Sequence, residues 1–376
     1  MDFALSEQQV LLQKAARDFL KSECPFSKVR EIEESRTGHD PALWRKIAEL
    51  GWVGLALPEA YGGAGLGLVD LAVLFEEIGR AAAPVPMLPA VVGGLLILES
   101  GPEAKRAELL PAIASGERIP SPAVEEPGVV NDPRFIEMRA SPASGRYLLS
   151  GSKLFVPYAH IADPLIIAAR TGGQAGDPEG LTLFTLVNPT SRVRFQALKT
   201  IAGDRQFRVD FEDVPLSASE ILGDRDGAYT PLRRTMDKAT VLGCAQLVGG
   251  ADRELEMTAE YTRGRVQFGR AIGTFQAVQH RLADMFIDVQ AARWTTYQAV
   301  WRLDAGLPAD RELAVAKFIT GRACGRVAFS AQQLHGGIGV DMDYDLQFFY
   351  RREKALELQF GTPSAHLAAL EEAFDL

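Results

Sequence analysis

"RGRVQFGRAIGTFQAVQHRLADM", residues 263–285, closes one long helical pattern, turns at Gly269 and opens another. Apolar residues recur at helical spacing over 231–263 and 273–305, and again over 309–334 and 345–359. Pro308 separates the second stretch from the third, and "HGGIG" (335–339) the third from the fourth. Four long helices on short connections predict an antiparallel bundle. Arg263, Arg265 and Arg270 gather around the Gly269 turn. Guanidinium forks and helix-start N–H groups suit an anionic ligand. Spacing taken alone favours solvated charges at a helix end. "QQLHGGIG" reads as a helix C-cap and tight turn, whose bare backbone also admits a ligand closely. A lone His335 at such a place reads first as part of the cap.

Upstream, residues 117–226 change character. "RYLLSG", "PLIIAAR", "LTLFTLV" and "FRVDFEDV" are short apolar or alternating runs between Gly, Pro, Asn and Asp clusters. They predict a small, mainly antiparallel β domain, with "TGGQAGDPEG" as a turn-forming insert. Residues 1–116 are helical again. Ser6 and Gln9 form a capping box, Leu5 and Val10 are spaced as a hydrophobic staple, and "DPALWRKIAELG" ends at Gly51. "PEAYGGAGLG" (58–67) is a glycine-rich loop; without a following Gly-Lys-Ser/Thr it is not a phosphate-binding P-loop. The expected fold is α+β: 1–116 all-α, 117–226 antiparallel β, 227–376 a four-helix bundle.

Composition narrows the function. The chain has 376 residues, 47% hydrophobic and 24% charged, as in an ordinary soluble protein. A net charge of −9 argues against a nucleic-acid surface. Three scattered cysteines suggest neither a disulfide framework nor a zinc site, and fit a reducing cytoplasm. No signal peptide is legible, and "MLPAVVGGLLILES" is too short to span a bilayer. No His-Glu or Cys-His metal spacing and no Gly-x-Ser-x-Gly elbow is present.

Taken together, "PEAYGGAGLG", "EEPG" (125–128), "LSGSK" (149–153), "YTRGRVQFGRAIGTFQAVQHRLADM" (261–285) and "QLHGGIGVDMDYDLQFFYRREK" (333–354) resemble the acyl-CoA dehydrogenase family along essentially the whole chain. The resemblance implies an acyl-CoA substrate, FAD as cofactor and a tetramer built from dimers. In the family a glutamate removes the Cα proton, and flavin N5 takes the hydride from Cβ. It further implies that Arg265, Gln267, Phe268, Gln276, Gln333, Gly336 and Gly337 reach across to a neighbour's FAD, and that Thr362 stands at the cofactor.

Other positions depart from the family. Glu125 stands where a threonine is common, Val130-Asn131-Asp132 replaces Gly-Ser-Asp, and Phe155-Val156-Pro157 replaces Trp-Ile-Thr. A carboxylate loses the hydroxyl donor, and Pro157 loses a hydroxyl and an N–H. Both family positions for the base are apolar: Phe360, and Ala239 in "MDKATVLG", which Thr240 follows in place of a common arginine. Glu357, three residues before Phe360, is the nearest substitute on a continuing helix; Asp341 and Asp343 are weaker ones. A positioned base contributes about a hundred- to ten-thousand-fold, so this chain's own site is expected to be inert as a dehydrogenase. The expected role is the base-lacking subunit of a heterotetramer with a paralogous acyl-CoA dehydrogenase chain, served by an electron-transfer flavoprotein or similar acceptor. A self-sufficient homotetramer with a relocated base at Glu357 or Glu125 is the second reading, and a non-catalytic acyl-CoA- or flavin-binding scaffold the third.

Overall fold

The computed structural model describes residues 4–128 and 132–373. Its first element, α1 (Glu7–Glu23), starts where the sequence directs. Gln9 N–H donates to Ser6 Oγ at 3.2 Å, and Ser6 N–H to Gln9 Oε1 at 3.0 Å. Such a cap is worth about 1 kcal/mol. The staple is not formed as read, because Val10 stands half exposed. Next come α2 (Phe26–Glu34) and α3 (Pro41–Glu49), the latter capped by the Asp40 carboxylate. The glycine-rich loop leads to α4 (Leu68–Arg80), α5 (Met87–Ser100) and α6 (Glu103–Ala114). The apolar window of the sequence is α5, a buried core helix. A Cβ on its Gly93 would lie 2.6 Å from Pro120, so the helix presses directly on the start of the β region.

The β region is one twisted sheet. Its strands are β1 (Ser121–Ala123), β2 (Arg139–Ala143), β3 (Arg146–Pro157), β4 (Leu165–Arg170), β5 (Leu181–Leu186), β6 (Val193–Leu198), β7 (Gln206–Leu216) and β8 (Ile221–Leu222). The order is β6-β7-β3-β2-β4-β5-β8, with β1 added in parallel to β4. The β2–β4 contact is also parallel and every other pairing is antiparallel. β4 and β5 are buried throughout, which explains their continuous apolar runs.

The remainder is the bundle: α7 (Tyr229–Gly264), α8 (Gln276–Asp304), α9 (Asp310–His335), α10 (Leu346–Leu358) and α11 (Pro363–Ala373). A small hairpin, β9 (Val266–Gln267) and β10 (Arg270–Ala271), bridges α7 and α8. The first helical region docks onto the bundle through glycines. A Cβ on Gly79 of α4 would lie 1.9 Å from Gln246 O, and one on Gly249 of α7 would lie 1.8 Å from Glu76 O. Only hydrogen at these positions lets the two backbones meet. Around this crossing Arg293 binds Glu76 at 2.9 Å and Arg80 binds Asp252 at 2.7 Å, so charge pairs fix the orientation that the glycines permit. Among the described residues no helix is long and apolar enough to cross a membrane.

Candidate functional site

A cavity of about 800 Å³ opens where α4, α5, the β sheet and the end of α10 converge. Its sheet-side wall carries Val124, Glu125, Leu154, Phe155 and Pro157. Phe155 is 58% exposed with φ +50°, an unusual backbone state for an aromatic residue, and presents its ring to the open space. Pro157 has no N–H to offer, and its carbonyl already accepts from Ser121 Oγ at 2.6 Å. Behind this wall Lys153 is fully buried, donating to Glu126 Oε1 at 2.6 Å and to Val124 O at 3.0 Å. Glu126 also accepts from Glu137 N–H and Met138 N–H. Burial pushes the Glu125 carboxyl above the usual range; the Lys153 charge opposes the shift and Glu126 adds to it. A raised value lets Glu125 carry a proton, and so donate a hydrogen bond, nearer neutrality than an ordinary carboxylate.

The opposite wall is the turn after α10. The helix stops at Leu358, Gln359 is extended (ψ 141°), and Phe360 takes φ +58°. Its carbonyl is held by His366 Nε2 at 2.9 Å. Phe360 lines the cavity, and its ring lies 3.6 Å from where Gly243 would carry a Cβ. Gly243 is one turn beyond Ala239 on the same face of α7, so the two positions considered for a base converge here. Ala239 itself is fully buried and does not line the cavity. Thr362 does line it, while its hydroxyl caps α11 by accepting from Ala365 N–H at 3.2 Å.

Glu357 needs correcting as a substitute base. Because the helix ends before Phe360, the expected three-residue spacing no longer places the two side chains on one face. Glu357 instead packs against Gly321 and Gly325 of α9 and is ion-paired with Lys354. It does not line the cavity, and neither do Asp341 and Asp343. Val130 and Asn131 lie outside the described residues.

A second assembly sits at the far end of the bundle. Up-down-up topology brings the end of α7, the start of α8 and the end of α9 together, and Tyr261 ties them. Its ring stacks on His335 at 4.4 Å, and its hydroxyl donates to His335 O at 3.3 Å. Arg265, Gln267, Phe268, Gln276, Gln333, Gly336 and Gly337 are all exposed here. The Arg265 side chain makes no ion pair or hydrogen bond among the described residues. Phe268, at φ +53° on the hairpin tip, is 91% exposed. Nothing lies within 4 Å of where Gly336 or Gly337 would carry a Cβ, so their backbone is open to an approaching group. An exposed guanidinium beside unshielded backbone fits a pyrophosphate. His335 is not exposed with them. It is buried, its Nδ1–H donates to Ala331 O at 2.8 Å, and it anchors the glycine turn from within.

Comparison with known proteins places the chain in a family. The profile described as "Acyl-CoA dehydrogenase, N-terminal domain" matches residues 6–117, and "Acyl-CoA dehydrogenase, C-terminal domain" matches 226–374. Acyl-CoA dehydrogenase IpdE2 of Mycolicibacterium smegmatis is 30% identical, with 98% of this chain and 99% of its own covered. Among solved structures, a variant of the Tcur3481-Tcur3483 steroid ACAD is 36% identical with a TM-score of 0.88, covering 98% of both chains. The ChsE4-ChsE5 complex from Mycobacterium tuberculosis is 29% identical with a TM-score of 0.90, covering 100% of this chain and 99% of the other.

Proposed function

The chain belongs to the acyl-CoA dehydrogenase family, oxidoreductases acting on CH–CH groups with FAD as cofactor, and from that premise we propose that it is the base-lacking subunit of a heteromeric enzyme. In this reading its three domains are 1–116, 117–226 and 227–376. The partner is a paralogous acyl-CoA dehydrogenase chain that carries the glutamate and acts on an acyl-CoA thioester. This chain lends the exposed end of its bundle to the partner's cofactor. Arg265 and the uncovered backbone at Gly336 and Gly337 hold the pyrophosphate, while Gln267, Phe268, Gln276 and Gln333 flank it. Bound FAD supplies the hydride acceptor. An electron-transfer flavoprotein or similar acceptor removes the electrons.

One observation carries the reading: the cavity wall where the family keeps its base is the Phe360 ring, with Ala239 sealed beside it, whereas the outward set is exposed and the Arg265 side chain has no partner among the described residues. The chain's own flavin platform is weakened at the same time, with Pro157 lacking a donor and Glu125 replacing a hydroxyl. Two solved relatives named as pairs, Tcur3481-Tcur3483 and ChsE4-ChsE5, support a two-component assembly. Co-expression with a candidate paralogue, followed by flavin analysis and turnover with acyl-CoA thioesters, tests it. The expected result is a yellow complex with one FAD per pair of unlike chains. A homotetramer of this chain alone, with one FAD per subunit and acyl-CoA turnover, overturns it.

A self-sufficient enzyme is the second reading, and Glu125 is the observation in its favour. It lines the cavity, and burial raises its pKa toward the range of a general base. Glu125→Gln decides between them, since unchanged turnover by the assembled enzyme removes Glu125 as a base.

A further inference from the structure

A second, small space of about 20 Å³ lies between α4, α7 and α10, room enough for one water. Two carboxyl groups face it: Glu254 of α7, 1% exposed, and Glu353 of α10, 7% exposed. Glu254 Oε1 and Glu353 Oε1 are both buried without a hydrogen-bond partner among the described residues. Two bare carboxylates in so dry a space repel one another and lack solvation, so the favourable arrangement places a proton and a bridging water between them. We propose that Glu254 and Glu353 form a proton-sharing pair around one bound water, and that its charge state sets how tightly α10 seats on α7.

The surroundings agree. Burial, reinforced by the charge of Glu353, holds the Glu254 carboxyl well above the usual range. Burial also pushes Glu353 up to about 7; Lys354 and Lys317 oppose the shift and Glu357 adds to it. The other charged or titratable groups close by are accounted for. Arg352 of α10 lines the space but donates to Ala82 O and Glu33. Lys317 of α9 donates to Leu356 O at 2.7 Å. Lys354 and Glu357 pair with each other, and Glu357 also reaches the Glu353 carboxyl from one turn on. The Cys324 thiol of α9 is held neutral by burial, with Glu353, Glu254 and Asp288 adding to the effect. α4 and its end contribute only Gly79 and Ala82 to the lining.

Glu353 therefore gains or loses its proton near neutrality while Glu254 keeps its own. Because the folded value of Glu353 lies above its ordinary 4.5, protonation favours the seated helix. That contribution is complete below pH 4.5 and is lost as pH rises through about 7. Gln246, Arg352 and Leu356 line both this space and the large cavity, and α10 runs directly into the Phe360 turn. Loosening α10 thus reshapes the cavity wall.

Hydrogen exchange of the α10 amides in the full chain, alone or in the complex it purifies with, tests this between about pH 5 and pH 8, a range that spans the linked slope and its plateau. After correction for intrinsic exchange, one-proton linkage predicts up to about tenfold more opening per pH unit between the ordinary 4.5 and the folded value of about 7, levelling off above it. In Glu353→Gln that extra dependence is expected to vanish. Infrared spectra at neutral pH supply a second readout that does not require this variant to fold: a carboxylic-acid C=O band in the wild type that Glu254→Gln removes. Equal pH dependence of α10 in wild type and Glu353→Gln, or an unchanged band in Glu254→Gln, overturns the proposal. Neither readout depends on flavin or on the subunit arrangement proposed above.

Discussion

Replacing Lys153 by methionine tests whether the wall beneath the cavity rests on one buried ion pair. The ammonium is fully buried on β3, and its partner Glu126 is 6% exposed. Methionine fills similar space but removes the charge, leaving the Glu126 carboxylate with only the Glu137 and Met138 N–H groups and leaving Val124 O without the ammonium. Breaking such a pair from one side costs about 3–5 kcal/mol, because the surviving charge stays buried. Glu126→Gln, which strands the lysine instead, is expected to cost a comparable amount. The double variant Lys153→Met/Glu126→Gln leaves no buried charge, and the glutamine oxygen still accepts from the backbone. It should recover much of the loss, giving a coupling of about 2–3 kcal/mol. The tryptophans all lie outside the sheet, so native-state hydrogen exchange of β3 and β7 amides is the suitable measure of local stability. The effect should reach the cavity, because Leu154 N–H donates to Glu125 O at 2.9 Å directly beside the pair. A single variant losing less than about 1 kcal/mol, or a double variant equal to the sum of the singles, would refute the argument.

Arg265→Ala should weaken FAD retention by the heteromeric complex about ten- to a hundredfold, the worth of one charge-assisted hydrogen bond. The thermal stability of this chain should not move, because the Arg265 side chain makes no hydrogen bond or ion pair among the described residues; fluorescence of released flavin and a melting curve read the two effects separately. Gly249→Ala should abolish or severely weaken the docking of α4 on α7, since its Cβ would meet the Glu76 carbonyl at 1.8 Å. Gly250→Ala next to it, with nothing nearer than 3.7 Å, should be tolerated and gain up to about 1 kcal/mol of helix propensity. Phe360→Glu alone should leave turnover per complex unchanged, because Pro157 still offers neither an N–H nor a hydroxyl to a flavin platform. A gain of about a hundredfold in acyl-CoA turnover by this chain alone would contradict the division of labour.

The parts of the fold that rest on local chemistry were legible. Ser6 and Gln9 cap α1 as their spacing requires, Pro308 and the Gly336–Gly337 pair punctuate the bundle, and the four apolar runs of the middle region are β3, β4, β5 and β7. The missed strands are those whose partners make them. β2, "RASPA", has little strand propensity of its own and is held by five register pairs with β3. β6 likewise depends on β7. Glu357 shows the same limit at the site. Helical spacing carried it toward Phe360, but α10 ends at Leu358 with Gln359 extended and Phe360 left-handed, and sequence gives little warning of a phenylalanine at φ +58°. The Glu254–Glu353 pair was equally hidden, its members lying 99 positions apart.

The outward set was expected on residue type and resemblance, and the structure shows it exposed at one end of the bundle. It depends on residue type and exposure rather than on packing, so the motif is also the surface. That surface is physically unfinished in the lone chain. Phe268 is 91% exposed and Val266 56% exposed on a two-strand hairpin, beside a guanidinium with no partner among the described residues. Single exposed apolar residues are ordinary, but an aromatic ring on a left-handed tip next to an unpaired cation favours being covered by something both apolar and anionic. A dinucleotide held by a second chain has that chemistry. In the proposed reading the inward half is the opposite: an aromatic ring closes the position assigned to the base, and Pro157 at the assigned flavin edge has no N–H to donate. A chain working alone would have to repair the inward half and also cover the outward one with copies of itself. A chain paired with a complete partner needs only the half it has kept.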